Sequence, residues 1–494
     1  MARQLPASQP LPSPLASAIE LANGVRFGSI YSMPERPSPD LERMLTDVEW
    51  AMSKQFAAKD LVPMLENLVR AAPSASDASY FAKVRLSELI VGDAPFRAAR
   101  LARDVLASGE SERAWAVLGL AHSLLGHYRL AARSYRRALA LTPDCAVYEH
   151  NLGHVLEMQG RFEESIASYE RAVALKPDYA NAAWNLSLVR LLLGDLRAGL
   201  AGYEGRWGIT VPPHGLQQPQ WSGQPLNGAR ILLHAEQGLG DTLQFLRYVP
   251  MVQAAGGSVV LGVQASLRRI ALEVPGVTQV VVHGEAMPEL EWQCPLLSLP
   301  LVLGTTLETI PGQTPYLSVP DQALAKAAER AWPETGLRVG LVWAGNGLHM
   351  RDRYRSMRLS EFASILQLEG IHFFSLQMGP EAEQLQHVTV AVTEGITDLR
   401  PAIEDMADTA ALIANLDLVI AVDTSVAHMA GALGKRVWLL LSTWTDWRWL
   451  LDRADSPWYP EMRLFRQKTL GDWQPVVEQV RCALAEACER ARSR

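Results

Sequence analysis

A period of 34 residues runs through the middle of the chain and restricts its fold more than any other feature of the sequence. Leu118, Leu152 and Leu186 are separated by that interval, and so are Gly126, Gly160 and Gly194 and Tyr135, Tyr169 and Tyr203. Gly119 and Gly153 are followed in step by Ser187, and Tyr128 and Phe162 by Leu196; Ala138 matches Ala172, and Pro143 matches Pro177. A unit this short cannot bury its own apolar face, so units must stack. The residue types predict one helical hairpin per unit. Gly119 and Gly153 let paired helices approach, Tyr135 and Tyr169 fill the gap to the next hairpin, and Pro143 and Pro177 stop each second helix. The third unit departs at its end, where Arg206 takes the small position and Pro212 arrives one residue late. It reads as the terminal unit that joins the array to the next domain.

A hairpin repeat of this length and pattern resembles the tetratricopeptide repeat (TPR). The repeats span 109–207 of a chain of 494 residues, too long for one hydrophobic core. Residues 1–40, rich in Pro, Ser and Ala, are expected to form a flexible arm, and 41–108 a helical cap or divergent TPR-like helices. Past Trp207 the pattern changes. Pro212, Pro213, Gly215, Pro219, Gly223, Pro225 and Gly228 punctuate a linker, and strand-like runs then alternate with helical ones. ARILLHA, SVVLGV and VTQVVV read as strands of a first lobe over 208–330, with DTLQFLRYVPMVQAAG and ASLRRIALEV as its helices. LRVGLVWAG, IHFFSLQ, LDLVIAV and KRVWLLL read as strands of a second lobe over 331–494, closed by a helix from Asp472. Such alternation predicts parallel sheets with helices on both faces. The expected fold is therefore α + α/β: a helical solenoid, then two Rossmann-like lobes with a ligand cleft beyond the strand ends.

The candidate chemistry falls at those strand ends. After the first strand comes His234-Ala235-Glu236-Gln237-Gly238-Leu239-Gly240-Asp241, where Gly238 and Gly240 allow a tight turn and Gln237 supports the loop. Asp241 reads either as a helix N-cap or as a general base facing an acceptor hydroxyl. Asp423-Thr424-Ser425-Val426-Ala427-His428 comes after LDLVIAV. Helix-terminal N–H groups with Thr424 and Ser425 would cradle a diphosphate, Asp423 could hold sugar or ribose hydroxyls, and His428 could reach back from one turn on. The bland reading makes them a plain cap and a satisfied histidine.

Asn346 opens a third loop in which Arg351, Arg353 and Arg355 alternate; in extended backbone they share one side and suit phosphate oxygens, or else they are solvated. Six tryptophans lie between Trp438 and Trp473, and Trp444 and Trp447 could stack on a sugar or base, although structural packing is the commoner role. No metal-binding pattern is present, and the glycine turn lacks the Lys-Ser/Thr of a P-loop. The net charge of -7 argues against a nucleic-acid partner. The four cysteines are irregularly spaced, and the first residues lack the apolar core of a signal peptide. With no apolar stretch long enough to span a membrane, a cytoplasmic location is expected.

HAEQGLGDTLQFLRY, GLVWAGN with RYRS, and DTSVAHMAGALGKRVWLLL resemble bacterial TPR proteins that carry a glycosyltransferase family 9 domain, the family of the heptosyltransferases. The resemblance covers about residues 110 to 480. It implies a GT-B fold and an inverting, metal-independent transfer from a nucleotide-diphosphate sugar used as co-substrate, with no cofactor. It implies Asp241 as catalytic base, Asp423, Thr424, Ser425, Val426 and His428 in the donor motif with Asn346, and Arg355 at the diphosphate. The array and the Glu236-Gln237-Gly238-Leu239 run set the chain apart from heptosyltransferases. A protein acceptor such as flagellin, recruited in the TPR groove, is expected by analogy with family members, and self-association is left open. Two other readings stand beside it: a non-catalytic scaffold with a degenerate sugar-nucleotide domain, and transfer to a glycan or lipid.

Overall fold

The computed structural model describes residues 38–74, 76–207, 209, 215–282, 284–348, 352–387 and 395–492. Most of the arm expected over 1–40 lies outside them, as do Pro212, Pro213 and Arg351. The chain divides into two compact units, one ending at Val189 and the other running from Arg190 to Arg494.

The first unit is helical throughout its described residues. Its helices are α1 (Pro39–Ser53), α2 (Ala58–Ala71), α3 (Asp77–Ile90), α4 (Pro95–Leu106), α5 (Glu112–Leu124), α6 (Tyr128–Leu141), α7 (Ala146–Glu157) and α8 (Phe162–Leu175), followed by α9 (Ala180–Leu192). The repeat residues do what their chemistry requires. Gly126 and Gly160 adopt φ of 75° and 71° just past α5 and α7, a left-handed turn that other residues resist. The turns close with bonds from the His127 and Arg161 N–H to the His122 and Leu156 carbonyls, at 2.8 and 3.0 Å. A Cβ on Gly119 or Gly153 would stand 2.8 Å from the ring of Tyr135 or Tyr169. Each tyrosine thus lies on the glycine of its own hairpin, and both rings are fully buried.

Gly153→Ala should therefore lower stability although alanine is the better helix former. Overpacking against an immobile ring costs about 1–3 kcal/mol, against a propensity gain of about 1 kcal/mol. Urea unfolding measures it, with Gly109→Ala, where a Cβ meets nothing within 4 Å, as the neutral comparison.

The second unit opens with the end of α9 and with α10 (Leu196–Tyr203). Two all-parallel sheets come next. The first has the order β3-β2-β1-β4, with β1 (Arg230–His234), β2 (Ser258–Val263), β3 (Val277–Val282) and β4 (Trp292–Pro295). The second has the order β10-β9-β8-β5-β6-β7, with β5 (Leu337–Val342), β6 (Ile371–Ser375), β7 (Ile396–Asp398), β8 (Leu418–Val422), β9 (Val437–Leu441) and β10 (Met462–Arg466). The expected fold class, a TPR helical array followed by two Rossmann-like lobes, is what the chain adopts. The short strands β4, β7 and β10 were not legible as strands; each is a four- to five-residue or shorter edge segment without clear alternation.

The single helix expected from Asp241 to Gly256 is broken. It runs as α11 (Leu239–Phe245), a tighter turn over Leu246–Tyr248, and α12 (Val249–Ala254). Pro250, which has no N–H to give, sits in the first turn of α12. The remaining helices of note are α13 (Arg268–Leu272), α14 (Asp321–Ala328), α15 (Met406–Ala414), α16 (Ser425–Ala432) and the closing α17 (Gln474–Arg492). Val476, Val477, Val480 and Leu484 of α17 pack with Val339, Leu341 and Phe362 under the second sheet. The lobes meet along two seams. α14 packs on α15, and α11 packs on α16.

Candidate functional site

The loops singled out in the sequence leave the carboxyl ends of β1, β5, β8 and β9, and β5, β8 and β9 are neighbours in the second sheet. The seam between α11 and α16 brings the first-lobe loop to the second. It is close because Gly240 has no side chain; a Cβ there would lie 2.8 Å from His428 Cδ2.

Asp241 is not the N-cap of α11. Gly238 holds that place, and Asp241, in the first turn, accepts the Gly238 N–H on Oδ2 at 2.8 Å. Its Oδ1 accepts from Arg448 Nη2 of the other lobe at 2.5 Å. Burial pushes this carboxyl above the ordinary range, while Arg448 pulls it back. Arg448 was missed in the sequence. It is buried, donates through Nη1 to Asp446 at 3.0 Å and through Nε to Gln244 Oε1 at 2.6 Å, and its guanidinium lies 4.5 Å from the Trp447 ring. A buried guanidinium needs charge and acceptors around it. The one signal for it was an arginine set between two tryptophans, Trp447 and Trp449.

Asp423 lies just past β8. Burial raises its carboxyl to about 6, helped by Asp446 and opposed by Arg355, Trp449 and Arg448. Thr424 is the N-cap of α16, yet its hydroxyl makes no capping bond and is buried without a hydrogen-bond partner. Ser425 and Val426 form the first turn of that helix, so its positive dipole end adjoins Asp423. Arg355 acts electrostatically on both Asp241 and Asp423. It packs against Gly345, where a Cβ would stand 2.6 Å from its Nη2, and pairs with Asp352 at 3.1 Å.

Three expectations need correction. Asp352–Arg355 is a helical turn, so Arg353 and Arg355 point apart instead of sharing the side of an extended loop. Arg353 is exposed and lies over Tyr354, 4.5 Å from the ring. Trp447 is buried, with Arg448 on its face and Tyr203 and Trp458 at its edges, so it is no open platform for a sugar. Trp444 is half-buried and edge-on to Tyr354. His428 does not reach toward the start of α16. Its Nδ1 pairs with the Tyr459 hydroxyl at 2.9 Å, and the ring packs where Gly240 leaves room. Asn346 is exposed, and its side chain accepts the Leu348 N–H at 3.0 Å.

Burial lowers the His428 imidazole to about 3, with Arg448 adding to the effect. Unfolded histidine takes its proton near 6.5, so below that pH the unfolded chain binds more protons and stability falls as pH falls. At pH 5 the loss from His428 should be about 2 kcal/mol. Urea unfolding at pH 7 and pH 5 measures it, and His428→Gln should shrink the difference by about that amount, leaving the share of His150, which burial also lowers to about 3.

The loop between β1 and α11 also explains Arg206. That side chain is fully buried and makes a two-pronged pair with Glu236 at 2.6 and 2.9 Å, with Ser298 and Glu204 completing its shell. Tyr203 hydrogen-bonds to Gln237. Arg206, which breaks the TPR pattern, and Tyr203, which keeps it, thus fasten α10 and the turn after it to the loop that leads to Asp241. Glu236 and Gln237 are spent on that joint, and among the described residues the Gln237 side chain bonds only to Tyr203. Among the described residues no group of three or more His, Cys, Asp or Glu is arranged to hold a metal ion. No helix among them is long and apolar enough to cross a membrane.

Comparison with known proteins bears on both units. Residues 112–145 match the model described as tetratricopeptide repeat and 153–194 the model described as TPR repeat. Residues 351–442 match glycosyltransferase family 9 (heptosyltransferase). That stretch holds Arg355 and the Asp423–His428 motif; Asp241 lies outside it. The chain is 31% identical over 298 residues to Protein FlbA of Caulobacter vibrioides (strain ATCC 19089 / CIP 103742 / CB 15), covering 54% of this chain and 48% of that protein. It thus spans about half the length of that curated relative. Among solved structures, E. coli ADP-heptose lps heptosyltransferase II aligns with 52% of this chain and 99% of its own at 13% identity and a TM-score of 0.39. MamA aligns with 35% of this chain and 93% of its own at 18% identity and a TM-score of 0.28. The chain carries tetratricopeptide repeats followed by a glycosyltransferase family 9 (heptosyltransferase) domain.

Proposed function

We propose that the second unit is a GT-B glycosyltransferase that moves a sugar, with inversion and without a metal, from a nucleotide-diphosphate sugar to an acceptor hydroxyl. The observation that carries this reading is the meeting of Asp241 from one lobe with Arg355, Asp423 and the open end of α16 from the other. A donor diphosphate placed at that helix end would meet backbone N–H groups, the unpartnered Thr424 hydroxyl and the Arg355 guanidinium. Asp423 would accept from sugar or ribose hydroxyls.

Asp241 takes the acceptor's hydroxyl proton as the oxygen attacks the anomeric carbon. The bond from that carbon to the diphosphate oxygen breaks, and the electron pair leaves with the diphosphate. Arg355 and the helix end stabilise the charge that develops there. The acceptor we propose is a protein, flagellin being the first candidate, recruited by the repeats. The family 9 match over residues 351–442 supports sugar transfer in general.

One observation favours a non-catalytic reading. Both Asp241 oxygens already hold a structural hydrogen bond, one from Gly238 and one from Arg448. Each keeps a second lone pair for a proton, so the base role survives.

The test uses purified full-length chain with a panel of nucleotide-diphosphate sugars. A donor that binds the native state at 100 times its Kd should raise apparent stability by about 2.7 kcal/mol, seen as a thermal shift. With an acceptor it should release nucleoside diphosphate, and Arg355→Gln should weaken both signals. If no donor in the panel shifts the melting curve or is consumed, the transferase reading fails.

A further inference from the structure

The repeat unit contains a cleft of about 640 Å³ lined by Arg129, Ala132, Arg133, Arg136, Gln159 and Arg161. Arg129, Arg133 and Arg136 are four and then three residues apart on α6, so one face of that helix carries all three. Ala132, small and buried, lies among them. Gln159 is held in place by donating its amide to the Tyr128 and Val155 carbonyls at 3.1 and 2.9 Å. Arg161 precedes α8.

Charge in the cleft does not balance. Glu164 is shared by Arg136 at 3.1 Å and Arg161 at 2.7 Å. Arg129 and Arg133 are exposed and have no ion pair or side-chain hydrogen bond among the described residues. Two guanidinium forks are therefore presented side by side, one helical turn apart, beside two more that share a single carboxylate. In a chain of net charge -7 this is a concentrated reversal of sign.

We infer that the cleft is a docking site for an acidic segment of another protein. Guanidinium forks match carboxylates in two-pronged geometry. The arginine stripe is about 10 Å long at 1.5 Å per helical residue, the length of about three extended residues at 3.3 Å each. A short run of Asp and Glu fits that span. A nucleic acid is disfavoured on two counts. No aromatic side chain lines the cleft to stack a base, and the net negative charge of the chain opposes a long polyanion. This inference stands independently of the transferase reading.

The experiment measures fluorescence anisotropy of a fluorescein-labelled peptide of alternating Asp and Glu, titrated with the full-length chain at low salt. Binding is expected, weakening as salt is added. Arg129→Ala with Arg133→Ala should weaken it about tenfold at an unchanged melting temperature, because both side chains are exposed and unpaired. Arg100→Ala with Arg103→Ala, exposed arginines on α4, should leave it within about twofold. The proposal is overturned if the peptide does not bind, if both double variants lose affinity equally, or if a labelled single-stranded RNA binds more tightly through Arg129 and Arg133 than the peptide does.

Discussion

Asp241→Asn should lower the rate of sugar transfer by about 10²- to 10⁴-fold, the usual contribution of a positioned general base. Asparagine has the same shape and can still accept the Gly238 N–H. Its amide cannot take a proton from an acceptor hydroxyl, and it carries no charge to pair with Arg448. Donor binding should change little, because the groups proposed for the donor lie on the other lobe at Asp423, Thr424 and Arg355. The expected signature is a collapse of kcat with a nearly constant KM for the donor. If kcat stays within a few-fold of the parent, Asp241 is a structural residue and another group must take the proton.

Arg448→Ala should cost about 3–5 kcal/mol of stability, the usual penalty for removing one partner of a buried ion pair. It would leave Asp241, Asp446 and Gln244 facing a void and strip the cation from the face of Trp447. Arg448→Lys separates charge from geometry. Lysine keeps the charge but cannot reach three acceptors in a planar fork, so a smaller loss is expected. The pair also sharpens the assignment of Asp241. If Asp241 served only to latch the lobes, Asp241→Asn and Arg448→Lys would reduce transfer in proportion to their effects on melting temperature. With Asp241 as base, its variant loses far more activity than stability. Thermal melts and kinetics on both variants, with the double variant to measure their coupling, decide between these outcomes.

The repeats were legible because their signal is local. Gly126 and Gly160 adopt left-handed turns and Gly119 and Gly153 lie under tyrosine rings for reasons contained within one 34-residue unit. The β-strands of both sheets were legible where they are apolar through and through, as in Leu418–Val422, all five residues of which are buried. Pro250 also announced the break between α11 and α12, but the amphipathic run around it hid the interruption.

The site was legible as a set of loops and not as an arrangement. Sequence spacing placed Asp241, Arg355 and Asp423 in loops past strand ends; strand order makes the ends of β5 and β8 neighbours, and the packing of α11 on α16 brings in the loop that carries Asp241. Spacing could not show that Arg448 reaches across to Asp241, 207 residues away in the chain, or that Arg206 and Glu236 form one buried pair. Nor could it tell that His428 serves Tyr459, or that Trp447 is covered by a guanidinium. Backbone preference and hydrophobic period are properties of a short segment, so the sequence alone determined the repeat and the alternation of strands and helices. The partner of a buried charge depends on which distant segments the packing brings within a few ångströms, and that was decided by the tertiary structure.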